Sequence, residues 1–146
     1  SQSKLKSKGI NYLLIDVDGT LLNRKSKIIP ISVKKWINKS KKLFELYLIS
    51  NNPSKDRICK IAKELELKYT FNALKPRKKT TLEIISKMNQ DTNKIAIIGD
   101  RILTDVIVGN RCNIQTVLVK RLNKNGLPIT INLTLLLERL ISLFLK

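Results

Sequence analysis

Asp16 and Asp18 stand two residues apart at the end of a short apolar run, followed at once by Gly19 and Thr20. Where a strand ends, side chains at such a spacing leave on the same side, so the two carboxylates can enter one space. Held that close, they repel unless something cationic lies between them. An ordinary Asp-Gly turn would explain this pair alone. A second acidic pair changes the reading: Asp100 follows Gly99 at the end of another apolar run, and Asp105 follows five residues later. Four of the six Asp in the chain fall in these two places. In so basic a protein, that concentration points to a hard-cation site, where oxygen ligands and water suit Mg²⁺.

Two further strand ends lie between the acidic pairs. Ser50-Asn51-Asn52 closes one apolar run and Lys75-Pro76 follows another. A hydroxyl and free backbone N–H groups can hold phosphate oxygens, while an ammonium neutralises charge gathering at phosphorus. Alone, Ser50 reads equally as a helix-capping turn and Lys75 as a solvated surface lysine. Their order and their places at strand ends tie them to the carboxylates.

The elements that must position these groups follow from the hydrophobic pattern. Residues 10–17 form a buried parallel strand, bounded by Gly9 and Gly19. Pro30 precedes Ser32, which is expected to cap a helix running to Leu43. Strands are expected at 46–50, 69–73, 94–98 and 116–119, and helices at 54–65, 80–88 and from 102. This alternation predicts an α/β fold, an open, mostly parallel Rossmann-like sheet with helices on both faces and ligands at the carboxyl ends of the strands. Residues 1–9 read as a basic tail and 10–146 as one domain. The domain ends in an apolar helix over about 132–145, suited to docking on the sheet or to a membrane surface or subunit contact.

A chain of 146 residues has room for one domain with a real core. The 29 Lys and Arg against 11 Asp and Glu give a formal charge of +18, which favours anionic partners: nucleic acid, an anionic bilayer or phosphorylated metabolites. Biased composition would also produce such a charge. Cys59 and Cys112 are far apart and the chain has no His, which removes the commonest zinc ligands and general bases and suits a reducing, cytosol-like compartment. No run approaches the roughly 20 apolar residues of a membrane-spanning helix. Because the sequence opens on Ser rather than Met, removal of a leader and organellar targeting stay open.

Taken together, these motifs resemble the haloacid dehalogenase (HAD) superfamily of phosphohydrolases. Its four elements run DxDxT, a Ser or Thr ending the second strand, a Lys, and a GDxxxxD-like acidic element. The resemblance implies a HAD-type phosphatase in which Asp16 attacks phosphorus to form an aspartyl-phosphate, while Asp18 protonates the leaving oxygen and then activates water. It implies Mg²⁺ held by the Asp16 carboxylate, the Asp18 carbonyl and the Asp100 carboxylate, with Asp105 in a supporting position. Thr20 would brace the motif loop, Ser50 and Lys75 would grip the phosphoryl group, and Asn51 would neighbour it.

The likeness narrows to subfamily IIIA and to its YqeG-like, phosphatidylglycerophosphate phosphatase group. The carrying segments are 49–52, Lys75-Pro76, 98–100, 103–106, 109–111 and Trp36. Gly19 stands where many members have Asn, and Arg101 where they often have Gln.

Only 29 residues separate Thr20 from Ser50, and 24 separate Ser50 from Lys75, so no inserted cap domain fits. An uncapped site on a basic surface suits a phosphate displayed on something large. The expectation is a phosphatidylglycerophosphate phosphatase, cytoplasmic and peripheral on the inner membrane face. The alternatives are a phosphatase of nucleotide, nucleic-acid-end or protein phosphates, and a non-catalytic basic nucleic-acid-binding module. Seven aromatics and no RNP-type run count against nucleic acid.

Overall fold

A computed structural model describes residues 1–128 of the chain. Five parallel strands form one sheet: β1 (Tyr12–Ile15), β2 (Glu45–Ile49), β3 (Lys68–Thr70), β4 (Ile95–Gly99) and β5 (Gln115–Leu118), in the order β3-β2-β1-β4-β5. Strand β1 is central, with Ile15 opposite both Leu48 of β2 and Ile98 of β4. The expected strands are all present. They are trimmed or shifted by a residue or more at their ends, where the chain leaves the ladder to form the loops of the site.

Alternation along the strands divides the core into two layers. Leu13, Ile15, Leu48, Ala96 and Ile98 face one way and pack with Ile37 of α2 (Ile31–Lys41) and with Ile58, Ile61, Ala62 and Leu65 of α3 (Lys55–Leu65). Leu14, Ile49, Ile95 and Ile97 face the other way, against Ile84 and Ile85 of α4 (Lys79–Met88) and Val108 of α5 (Ile107–Arg111). Central strands covered on both faces explain the unbroken apolar runs in the sequence.

Three local features depart from the sequence reading. Residues read as a basic tail form α1 (Gln2–Ser7), capped by Ser1. Its Leu5 packs on the first layer, while the Gln2 amide donates to Ser40 Oγ at 2.6 Å and to the Trp36 carbonyl. Helix α2 starts one residue before Ser32, with Pro30 at the cap and no side-chain hydrogen bond there. The stretch expected to open as an α-helix at 102 forms one π-helical turn, Ile102–Val106, before α5 begins. The apolar segment 132–145 lies outside the described residues.

The connections leave little to spare. From Thr20 to Ser50 the chain is taken up by turns, α2 and β2, and from Ser50 to Lys75 by α3 and β3. The carboxyl ends of β1, β2 and β4 therefore open on solvent with no inserted domain between them.

Candidate active site

The ends of β1, β2 and β4 and the loop after β3 bring the chemistry-bearing residues together around a cavity of about 500 Å³. Asp16, Asp18, Ser50, Asn51 and Lys75 line it. Asp16 leaves the end of β1, and its backbone N–H still bonds the Ile98 carbonyl across the sheet. Burial pushes its pKa up to about 6; Lys75 pulls it down, and the charges of Asp105 and Asp100 add to the rise.

Lys75 is only 4% exposed. Its ammonium donates to Asp16 Oδ1 at 2.8 Å, to Asp105 Oδ1 at 2.6 Å and to the Ile49 carbonyl at 3.1 Å. Burial works against its charge, but the carboxylates of Asp16 and Asp105 outweigh burial and hold its pKa above the ordinary lysine value. Its three N–H donors are all engaged, so gripping a phosphoryl group requires exchanging one of them. The loop that carries it turns through Asn72 and Leu74, both with positive φ, into a cis Lys75-Pro76 bond. Asn51 fastens this loop from β2: its side-chain oxygen accepts from Lys75 N and its amide donates to the Lys75 carbonyl, both at 2.7 Å. Asn51 thus braces the lysine.

Asp100 and Asp105 arrive from the end of β4. The π-helical turn folds Asp105 back beneath Gly99, where a Cβ at Gly99 would collide with its carboxyl group. There Asp105 accepts from Lys75 on one oxygen and from Arg101 N on the other. Thr20 Oγ1 lies 3.0 Å from Asp16 Oδ2 and 3.3 Å from Asp100 Oδ1. Having one proton, it serves one of them at a time and ties the first acidic motif to the second. Gly19, at φ +98°, has no room for a side chain, since a Cβ would come 2.5 Å from Asp100 Oδ2. Glycine in place of Asn there is a requirement of this geometry.

Ser50 is buried, and its hydroxyl oxygen accepts from Asn52 N at 3.1 Å, which leaves the hydroxyl proton available to an anion. Asp18 lies at the cavity wall, with both oxygens held: Oδ1 by Arg57 Nη2 at 2.8 Å and Nε at 3.2 Å, and Oδ2 by the Asn52 amide at 2.6 Å. Arg121 Nε donates to Asp100 Oδ2 at 2.6 Å.

The sequence reading missed these roles of Arg57, Asn52 and Arg121. Two are cations among 29, joined to their carboxylates across 39 and 21 residues, and no local pattern marks them. Asn52 adjoins the motif at Ser50, and that adjacency was the one available signal.

A hard divalent cation fits this donor set. Carboxylate oxygens of Asp16, Asp100 and Asp105 lie within 4.8 Å of one another. Lys75, Arg57 and Arg121 supply three positive charges beside the four carboxylates of Asp16, Asp18, Asp100 and Asp105. Arg24 and Arg101, which also line the cavity, bring the cations to five against four carboxylates, a balance that suits an anionic substrate. The ligands are all oxygen, as Mg²⁺ prefers.

Comparison with known proteins places this arrangement. The HAD-hydrolase-like family model matches residues 73–125, the stretch that carries Lys75, Asp100 and Asp105. The chain is 27% identical over 117 residues to the "Probable phosphatase YqeG" of Bacillus subtilis, an alignment spanning 80% of this chain and 67% of that protein. In both comparisons the chain is similar to HAD-type hydrolases.

Solved HAD structures share the fold at lower identity. The magnesium-bound HAD-family protein YfnB of Bacillus subtilis is similar with a TM-score of 0.65 at 13% identity, over 83% of this chain and 90% of that one. The cobalt-bound deoxy-D-mannose-octulosonate 8-phosphate phosphatase YrbI of Haemophilus influenzae is similar with a TM-score of 0.55 at 15% identity, over 65% and 61%. The five-stranded parallel sheet of this chain is thus a HAD-like fold, without an inserted cap among the described residues.

Proposed function

We propose that this chain is a HAD-type, Mg²⁺-dependent phosphomonoester phosphatase acting through an aspartyl-phosphate on Asp16, with phosphatidylglycerophosphate at an anionic membrane surface as its substrate. The observation that carries the chemistry is Asp16 itself: a buried carboxylate at the end of β1, paired with Lys75 and facing Asp100 across Thr20. Asp16, Asp100 and the backbone at Asp18 would hold the cation, with Asp105 steadying Lys75 behind them. The cation would offset repulsion between the nucleophile and the incoming phosphate.

The chain's own groups divide the remaining work. Asp16 attacks phosphorus as the bond to the leaving oxygen breaks, and Asp18 delivers a proton to that oxygen, giving the free alcohol. Water then attacks the phosphorus of the aspartyl-phosphate and gives its proton back to Asp18, releasing phosphate and restoring Asp16. The Ser50 hydroxyl and the Asn51 N–H hold non-bridging oxygens.

For the lipid substrate, the support lies at the mouth. Arg24, Arg101 and Arg121 line the uncapped cavity. Ile102 and Leu103, next to Arg101, are 54% and 71% exposed. Cations beside bare aliphatic side chains suit a headgroup region, where each basic residue contributes about 1 kcal/mol near an anionic surface. No described helix is long and apolar enough to cross a membrane, so contact would be peripheral.

Phosphate release with Mg²⁺ from phosphatidylglycerophosphate in anionic vesicles, beside p-nitrophenyl phosphate, mononucleotides and 5′-phosphorylated oligonucleotides, tests both levels. Turnover preferring the vesicle-borne lipid is expected. Activity confined to the soluble esters removes the lipid, and tight RNA binding without phosphate release removes the enzyme.

A further inference from the structure

Asp18 is held from a direction that the motif does not foretell. Arg57 stands in the first turn of α3, with its side chain 19% exposed, and reaches back to the loop after β1. Besides its two bonds to Asp18 Oδ1, it donates through Nη1 to the Ser26 carbonyl at 2.7 Å and through Nη2 to the Asn23 carbonyl at 3.3 Å. One planar guanidinium therefore fixes the carboxylate and the turn that follows it in a single frame.

That frame is anchored to the phosphate-gripping end of β2. Asn52 N donates to Ser50 Oγ, Ser54 N to Asn52 Oδ1, and Arg57 N to Ser54 Oγ, at 3.1, 2.9 and 3.3 Å. These bonds run unbroken from Ser50 to the residue that clamps Asp18. The two Asp18 oxygens are held unequally. Oδ1 receives two charge-assisted bonds from a group with two further anchors, whereas Oδ2 receives one bond from a neutral amide. Oδ2 is the oxygen that can exchange its partner without dismantling the loop.

We infer that Arg57 is a positioning residue for Asp18: it holds Oδ1 fixed while Oδ2 exchanges the Asn52 amide for the leaving oxygen and then for the attacking water. This rests on the phosphatase reading above. In the first step the bond from phosphorus to the leaving oxygen breaks, the Asp16–phosphorus bond forms, and the proton on Asp18 Oδ2 passes to the leaving oxygen. In the second step the water oxygen bonds to phosphorus and its proton returns to Oδ2 as the Asp16–phosphorus bond breaks, releasing phosphate.

The test separates proton delivery from general damage by varying the leaving group. kcat/KM reports the first step, in which an alkoxide needs the proton and a p-nitrophenolate does not. Arg57→Ala is expected to lose about 100-fold in kcat/KM on an alkyl phosphomonoester and less than about 5-fold on p-nitrophenyl phosphate. Arg57→Lys, which can reach Oδ1 but cannot also span both carbonyls, should fall between, at about 10-fold on the alkyl ester. Equal losses on the two esters, or no loss on either, overturn the inference, and Arg57→Lys alone decides it if the alanine variant fails to fold. Wild-type protein that hydrolyses neither ester would defeat the phosphatase reading. The Asp18 carboxyl ¹³C signal then judges the clamp: displacement in Arg57→Lys supports it, and an unmoved signal overturns it.

Discussion

The Lys75 ammonium bridges Asp16 and Asp105, 2.8 Å from one carboxylate and 2.6 Å from the other, at a point where all three side chains are nearly closed to solvent. The lysine fixes Asp16 to the π-helical turn after β4 while its own charge is fully matched.

Replacing Lys75 by Met should therefore cost more than a surface lysine would. Two buried carboxylates lose their common partner, a change worth about 3–5 kcal/mol of folding stability. Asp16→Asn in the same chain should return part of that loss. Urea unfolding of the two variants decides it, and a loss below about 1 kcal/mol for Lys75→Met would show that the pair is not held as described.

The raised pKa of Asp16 sets a pH window for the metal-free protein. A carboxyl that binds its proton more tightly when folded supports the fold at low pH, and that support drains away as pH rises from about 4 to about 6. Over this range wild type should lose up to about 3 kcal/mol relative to Asp16→Asn, in which the group does not titrate. Divalent-cation affinity should rise over the same range, because the cation binds the ionised form. Parallel stability profiles of the two proteins, measured in chelator from pH 4 to 7, would contradict this.

Asp100, whose side chain is completely buried, should be the ligand most sensitive to loss of charge. Asp100→Asn is expected to weaken Mg²⁺ or Mn²⁺ binding by at least the 10- to 100-fold typical of losing an outer-shell partner. Calorimetric titration of the purified variant reads this directly. Unchanged affinity would remove Asp100 from the ligand set.

Gly19→Ala should be destabilising out of proportion to its size. The added methyl group meets the Asp100 carboxylate, and φ +98° is strained for any residue with a Cβ. Together these should cost about 1–3 kcal/mol and weaken cation binding as Asp100 is pushed aside. A melting temperature equal to wild type would show that the loop can move away freely.

Much of the fold could be read from the sequence because β1, β2 and β4 are largely apolar runs closed by polar residues. Asp16, Ser50 and Asp100 follow directly on those strands, while Lys75 stands in the loop after β3, and such strand ends are local signals. Arg57 was not legible, since its partner Asp18 lies 39 residues away and is reached only after α3 docks on the sheet. The π-helical turn was invisible for a different reason: nothing in the sequence from Ile102 to Val106 separates a π-turn from an α-turn, whereas in the fold the turn brings Asp105 against Gly99. Helix α1 was missed because Ser1 to Lys8 is polar and basic, with Leu5 its one apolar residue, and because the bonds of Gln2 to Ser40 and Trp36 form only once α2 is in place.

The strand order has a consequence for how the protein is made. Strand β1 leaves the ribosome some 80 residues before its neighbour β4, as the span from Thr20 to Asp100 records. Before β4 docks, a growing chain holds Asp16 and Asp18 without the partner carboxylates that would complete a cation site. A divalent cation bound across β1 and β4 would act as a staple between segments made far apart in time, and would guard the domain against peeling at β4 and β5.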